Sequence, residues 1–418
     1  MQLKLVFVEA NTTGTGMIAL RLAQTMGVTP VFLTQNPDRY LGLDETGAEV
    51  VICDTNDFQA LVQTIETHVR AEEIAGICTT SDFYLGTVAK LTDRYGLLGN
   101  PPEVIETCRD KAKTRICLQQ NNVRQPRFVL LESLEPVYEA VDAIGLPCVL
   151  KPVDDSGSNN VKLCHTHEEA MSHAQQIWRV EQNVRGQKAS KKILVEEYVN
   201  APEYSVEMFT WEGKTRLIGI TQKTVIGEPY FTESMHTFPA PLPPEQQQEI
   251  EAVVTEALQA VGFAWGASHT EVKLTAEGCV LIEINPRLAG GMIPELIRLV
   301  TGLDLLELQV KATHALDVVP EVQVRCVAGI RFLISPQSGT FRQVAGVERA
   351  QGVLGIYQVQ VTGKTGQTVQ FPPPNAYHRL GFMIATGETV LQVEECLEEA
   401  SSWLELQVDE STNQEVKR

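Results

Sequence analysis

Two segments carry acidic, amide and basic side chains at alternate positions: Ser268-His269-Thr270-Glu271-Val272-Lys273 and Leu281-Ile282-Glu283-Ile284-Asn285-Pro286-Arg287. Alternate residues of a strand share a face. Glu283 and Asn285 then project together, as do His269, Glu271 and Lys273, and the turn Ala276-Glu277-Gly278 lets the two strands pair. Two carboxylates and an amide oxygen converge from neighbouring strands. Hard oxygen donors of this kind suit Mg²⁺, which is held by one or two carboxylates plus substrate phosphates. Pro286 ends the ladder, so Arg287 emerges beside the metal, where a guanidinium stabilises charge on a transferring phosphoryl group. A surface hairpin with solvated charges is the competing reading. Against it, the strands are rich in Val, Leu and Ile, and a buried carboxylate needs a partner. Gly290-Gly291 then precedes a helix opened by Met292-Ile293-Pro294-Glu295, which exposes N–H groups to an oxyanion or carboxylate, or merely supplies a flexible connection. Lys151 ends an apolar stretch before a Ser-, Gly- and Asn-rich loop, a weaker signal for holding phosphates.

The elements that must position these groups follow from the apolar pattern. Strands at 3–8, 31–34, 50–53 and 76–79 alternate with helices such as 17–26 and 58–68, which implies a parallel sheet covered on both faces. One helix is expected over 102–120, strands at 126–131 and 148–152, helices over 137–144 and 167–179, and a mobile polar loop over 181–192. Strands follow at 192–198, 203–211, 216–221, 267–275 and 279–284, with an amphipathic helix at 244–261 and further helices at 293–299 and 305–315. From about 325 the chain reads as strands with Gly-rich turns, closing with a helix at 391–404. The expected domains are 1–100 (N-terminal α/β), 101–200 (first lobe, with the lid region), 201–320 (second lobe, with metal and substrate site) and 321–418 (C-terminal β-rich lobe).

Other motifs are weaker. Asn11-Thr12-Thr13-Gly14-Thr15-Gly16 lies between a strand and a helix, but the second strand ends at Thr34-Gln35-Asn36 without the acid a dinucleotide fingerprint requires. Gly363-Lys364-Thr365 is flanked by strand-like residues and reads as a hairpin turn rather than a phosphate loop. Cys164, His165 and His167 lack a second ligand pair and read as a solvated strand end.

Composition limits the alternatives. The 418 residues carry 34 basic and 53 acidic side chains, a formal charge of −19, which argues against a nucleic-acid partner because phosphate binding needs a basic face. No apolar run reaches the roughly 18 residues of a membrane span. The start of the chain, Met1-Gln2-Leu3-Lys4, reads directly into a strand, so no secretory leader is expected. Nine scattered cysteines without a CxxC pair suggest reduced thiols and a cytoplasmic location.

In order along residues 100–400, these features resemble the ATP-grasp superfamily of carboxylate–amine ligases, and within it the L-amino-acid ligases that make dipeptides and the carnosine-synthase-like group. The resemblance implies an N-terminal parallel-sheet α/β domain, a small α+β nucleotide lid and a C-terminal α+β domain. It implies that Lys111 (in Arg109-Asp110-Lys111), Lys151 and the loop Ser156-Gly157-Ser158 hold the phosphates of ATP. Glu196, Glu197, Tyr198 and Val199 would meet the adenine, partly through backbone groups, and Glu203 the ribose. Glu271, Glu283 and Asn285 would hold Mg²⁺ or Mn²⁺, and Arg287, Gly290 and Gly291 would face the transferred phosphate and oxyanion. Glu233-Ser234-Met235-His236-Thr237-Phe238-Pro239 looks like a substrate-proximal segment, with His236 or Glu233 assisting the amine. Tyr377 through Gly387 resembles the final lobe of biotin-carboxylase-like members. The implied substrates are small carboxylates and amines, amino acids by this likeness, and related enzymes are commonly homodimers. Activation of bicarbonate, and nucleotide binding without catalysis, remain the alternative readings.

Overall fold

Leu5, Val6, Phe7 and Val8 are all buried because the first sheet is covered on both faces. Leu5 and Phe7 pack among residues of the helix Thr15–Thr25, while Val6 and Val8 pack among those of Phe58–His68. In this computed structural model, which describes residues 3–12, 15–226, 228–313 and 321–410, that sheet is parallel. Its strands β1 (Lys4–Val8), β2 (Thr29–Thr34), β3 (Glu49–Ile52) and β4 (Ile74–Cys78) run in the order β3-β2-β1-β4. Thr13 and Gly14 of the Gly-containing loop lie outside the described residues.

The helix expected over 102–120 is two helices, Pro102–Arg109 and Lys111–Gln120. Asp110 separates them in an extended conformation and accepts the N–H groups of Ala112 and Lys113. A capping aspartate inside an apolar-periodic stretch satisfies orphan donors and restarts the helix. Lys111 thereby becomes the first residue of a helix that faces the phosphate-loop region.

The second sheet is antiparallel. Its strands β5 (Phe128–Leu131), β6 (Cys148–Pro152), β7 (Lys162–Cys164) and β8 (Ile193–Glu197) are ordered β5-β8-β6-β7 and backed by Val137–Ile144 and His167–Arg179. The connection expected to be mobile is anchored instead. Arg185 is buried and donates to Ala10 O at 2.7 Å and Tyr40 Oη at 3.0 Å in the first sheet's loops.

The chain then contributes β9 (Glu203–Trp211), β10 (Lys214–Ile226), β11 (Thr232–Phe238), β12 (Gly266–Thr275), β13 (Gly278–Asn285), β14 (Val327–Leu333), β15 (Gly339–Ala345), β16 (Ile356–Val361), β17 (Thr368–Val369), β18 (Gly381–Gly387) and β19 (Glu405–Glu410). Eight of them form one antiparallel sheet, β13-β12-β9-β10-β11-β14-β18-β16, and β17-β15-β19 form a small one. The closing helix is Val390–Ser402, and β19 after it is a strand beyond the expected end of the pattern. Gly363-Lys364-Thr365 joins β16 to β17, but these strands lie in different sheets, so the segment is a connection between sheets and not the expected hairpin turn.

The large sheet sets the site. Tyr204, Val206, Met208, Ile220, Val272 and Leu281 point to the helix Pro244–Val261 and form its core. The strand period of two turns the residues between them to the opposite face. Among these are Glu203, Ser205, Glu207, Glu271 and Lys273.

Candidate active site

β12 and β13 pair antiparallel with Glu271 opposite Glu283 and His269 opposite Asn285. Directly opposed residues share a face, with Cβ atoms about 5 Å apart. The register therefore places the two carboxylates and the amide on one surface. Lys223 Nζ lies 2.7 Å from Glu271 Oε1, and Lys111 Nζ lies 3.3 Å from Glu283 Oε1. His269 Nδ1 is 2.6 Å from Glu207 Oε1 and its Nε2 is 3.5 Å from Glu271 Oε1. Burial alone would lower the His269 pKa, but Glu207 and Glu271 raise it to about 9, so the ring is an imidazolium near neutrality.

The cluster has a cationic centre that the sequence pattern did not single out. The Lys223 side chain is 1% exposed and lies 2.6 Å from Glu233, 2.7 Å from Glu271 and 3.0 Å from Glu203. Oxygens of those three carboxylates lie within 4.8 Å of one another, a spacing that would suit a metal ion. Lys223 already supplies the positive charge there, so that trio does not fit a second cation. Glu271, Glu283 and Asn285 do fit one: they are hard oxygen donors on a single face, and Glu271 and Glu283 remain partly exposed.

The phosphate-binding candidates surround the same face. Lys111 Nζ donates to Asp155 O at 2.8 Å. Lys151 Nζ lies 2.7 Å from Glu196 Oε2, while Arg115 Nε donates to Glu196 Oε1 at 2.7 Å and Arg115 Nη2 to Ile282 O at 2.7 Å. Glu196 is thus buried against two cations rather than turned outward. Glu197 pairs with Arg127 at 3.2 Å. Tyr198 and Val199 bridge β8 and β9, and Lys273 Nζ donates to Val199 O at 2.9 Å while lying 5.4 Å from the Tyr198 ring centre. Glu203, expected at a ribose, is committed to Lys223. Ser156, Gly157 and Ser158 form the loop between β6 and β7, and a side chain added at Gly157 would meet open space.

Arg287 Nε donates to Asp82 Oδ1 at 2.6 Å and Nη1 to Leu288 O at 2.9 Å. Asp82 comes from the loop after β4 and had no signal in the local pattern. Gly291 has φ +58°, and a Cβ there would lie 2.8 Å from His236 Nε2. His236 is 1% exposed, and its ring meets Phe332 edge-on at 5.2 Å. Neither ring nitrogen has a hydrogen-bond partner among the described residues. Burial pushes its pKa down to about 3. Arg379, inside the Tyr377–Gly387 motif, donates to Glu233 Oε2 at 2.8 Å and stacks 3.7 Å from the Phe332 ring centre. Gly291→Ala is expected to cost about 1–3 kcal/mol through its left-handed φ and the displaced His236 ring. A lowered thermal midpoint with slower ADP release checks this.

Residues 144–295 match the family model of the ATP-grasp domain, and residues 331–409 that of the L-amino acid ligase C-terminal domain 2. The chain is 29% identical over 404 residues to the uncharacterized protein y4rH of Sinorhizobium fredii, covering 94% of this chain and 81% of that one. It is 29% identical to carnosine synthase 1 of Gallus gallus over 52% of this chain, and 29% identical to alanine–anticapsin ligase of Bacillus subtilis over 59% of it. It spans only 25% and 56% of those two proteins. The crystal structure of L-amino acid ligase from Bacillus licheniformis has the same fold, with a TM-score of 0.82 at 22% identity over 98% of this chain and 100% of that one. No helix among the described residues is long and apolar enough to cross a membrane.

Proposed function

We propose that this chain, a member of the ATP-grasp superfamily carrying the C-terminal domain of the L-amino acid ligases, joins the carboxylate of one amino acid to the amine of another. ATP would become ADP and phosphate, with an acyl phosphate as the intermediate. The observation that carries the reading is the opposed Glu271–Glu283 pair with Asn285 on the same face, and Lys111 Nζ 3.3 Å from Glu283. Amino-acid substrates are supported by the names of the two partly covered relatives.

In this reading Lys111, Lys151 and the loop 156–158 hold the nucleotide's phosphates between the second sheet and the large one. Glu271, Glu283 and Asn285 would hold Mg²⁺, which when bound neutralises phosphate charge and orients the oxygens around phosphorus. The donor carboxylate attacks the γ-phosphorus, and Arg287 stabilises the charge that builds there. The acceptor amine then attacks the acyl carbon and phosphate leaves. The loop 156–158 keeps out the water that would hydrolyse the intermediate. His236, expected to assist the amine, is poorly matched to that role, because a group with pKa about 3 does not draw a proton from an ammonium near neutrality. Glu233 is no better. Burial would raise its pKa, but Lys223 beside it holds the carboxyl well below the usual range.

Screening pairs of amino acids for ADP release, with mass spectrometry of products, tests the reaction. Hydroxylamine added during turnover is expected to yield the hydroxamate of the donor acid. ADP formation without hydroxamate would contradict an accessible acyl phosphate. Dependence on bicarbonate rather than on an amino acid would replace the amino-acid reading.

A further inference from the structure

The turn Asp82–Tyr84 belongs to the first sheet's loops, where Tyr84 packs, yet Asp82 and Phe83 reach residues outside that sheet. Asp82 Oδ1 accepts from Arg287 Nε at 2.6 Å, and Arg109 Nη1 lies 3.4 Å from the same oxygen. Its other oxygen accepts the Ser156 hydroxyl at 2.8 Å. Next to it, Phe83 O accepts from Gln187 Nε2 at 3.0 Å, which ties in the connection before β8. Burial would raise the Asp82 pKa, but Arg287 and Arg109 hold the carboxyl well below the usual carboxylate range, so it stays charged. A guanidinium has five N–H donors in a fixed fork. Asp82 and Leu288 O take Nε and Nη1 of Arg287, and neither bond uses Nη2. That nitrogen is left available to an incoming anion.

We propose that Asp82 is a positioning residue, a clasp that couples docking of the phosphate loop to the orientation of Arg287. The proposal rests on the roles given above to Ser156 and Arg287. One carboxylate fixes the loop with one oxygen and the arginine with the other. The state that shuts water out is therefore also the state in which the guanidinium is aimed. Without the carboxylate, Arg109 and Arg287 are two partly buried like charges with no anion between them, and they repel. Ser156 loses its anchor in the same step. The acyl phosphate would then form in a leakier site, and water would take part of it.

The test uses the full chain with Asp82→Asn and, separately, Ser156→Ala. Amide hydrogen exchange of residues 155–160 is measured without nucleotide, and ADP released per amide formed is measured with a competent amino-acid pair. Both variants are expected to speed exchange in the loop about ten-fold. Asp82→Asn is expected to raise ADP per amide several-fold and to lower kcat more than it raises KM for ATP. Ser156→Ala, which leaves the arginine paired, should change kcat less. Unchanged exchange in both variants overturns the clasp, as does faster exchange with an unchanged ADP-to-amide ratio in Asp82→Asn. A wild-type chain that makes no amide from any pair refutes the ligase reading, and with it the proposed coupling. Unchanged exchange beside normal amide formation refutes the clasp alone.

Discussion

Glu283→Gln is expected to lower ADP release by about 10²-fold or more while the protein remains folded. Glutamine keeps the shape of the side chain and removes its charge. Glu283 stands opposite Glu271, and among the described residues its ion-pair partner is Lys111 at 3.3 Å. The variant therefore halves the carboxylate charge offered to a divalent cation and leaves Lys111 without its counter-ion. Removing one preorganised electrostatic group from a reacting centre costs about 10²–10³ in rate. The stability effect is expected to be small because the site is partly exposed. ADP release at saturating ATP, with a thermal melt as control, checks both parts. Undiminished turnover would remove Glu283 from the metal-binding proposal.

Glu196→Gln is expected to have the largest effect on stability, about 3–5 kcal/mol, the usual cost of breaking a buried ion pair. The carboxylate is 3% exposed, and the side chains of Arg115 and Lys151 are 1% and 6% exposed. Losing its charge leaves two buried cations facing each other. Burial would raise the Glu196 pKa, but Arg115 and Lys151 bring it down to about 2. The unfolded chain takes up this proton near pH 4.5 and the native state only near 2. Between those values the unfolded state holds more protons, so stability rises with pH. The contribution is whole above about pH 4.5 and is lost as pH falls toward 2, a difference of about 3 kcal/mol. Thermal midpoints of wild type and variant from pH 7 to 3 check this: the gap should narrow with acidification. A constant gap would show that Glu196 carries no charge-dependent stability. Lys151 loses its anchor in the same variant, so a weaker affinity for ATP should accompany the fall in midpoint.

The two effects differ because the residues occupy different faces of their strands. Glu283 lies on the open face of the large sheet. Glu196 lies on the face of β8 that also carries Leu194, which packs against Ala112 of the helix Lys111–Gln120. The resemblance to the ATP-grasp ligases assigned the whole run Glu196 to Val199 to the adenine, with no distinction between its members. Burial on both faces of that strand hides the distinction from any local pattern.

The local chemistry of the chain was written in its periodicity. Alternation, with Gly278 at the turn, puts Glu283 with Asn285 on one strand and Glu271 with His269 on the other; a register shift between Glu271 and Val272 then sets Glu283 opposite Glu271, on the face away from Leu281. Continuous apolar runs between helices determined the parallel first sheet. The tertiary structure alone decided what stands around those residues. Lys223 lies beyond the strand expected at 216–221 and carries no signal of its own; β9, β11 and β12 bring three carboxylates to it. Asp82 and Arg287 are 205 positions apart, and only the packing of the first sheet against the large one makes them partners. Side-chain alternation is fixed by covalent geometry over a few residues, so it can be read from the chain. Charge pairing across such separations depends on where whole sheets come to rest, and no short stretch of sequence encodes that.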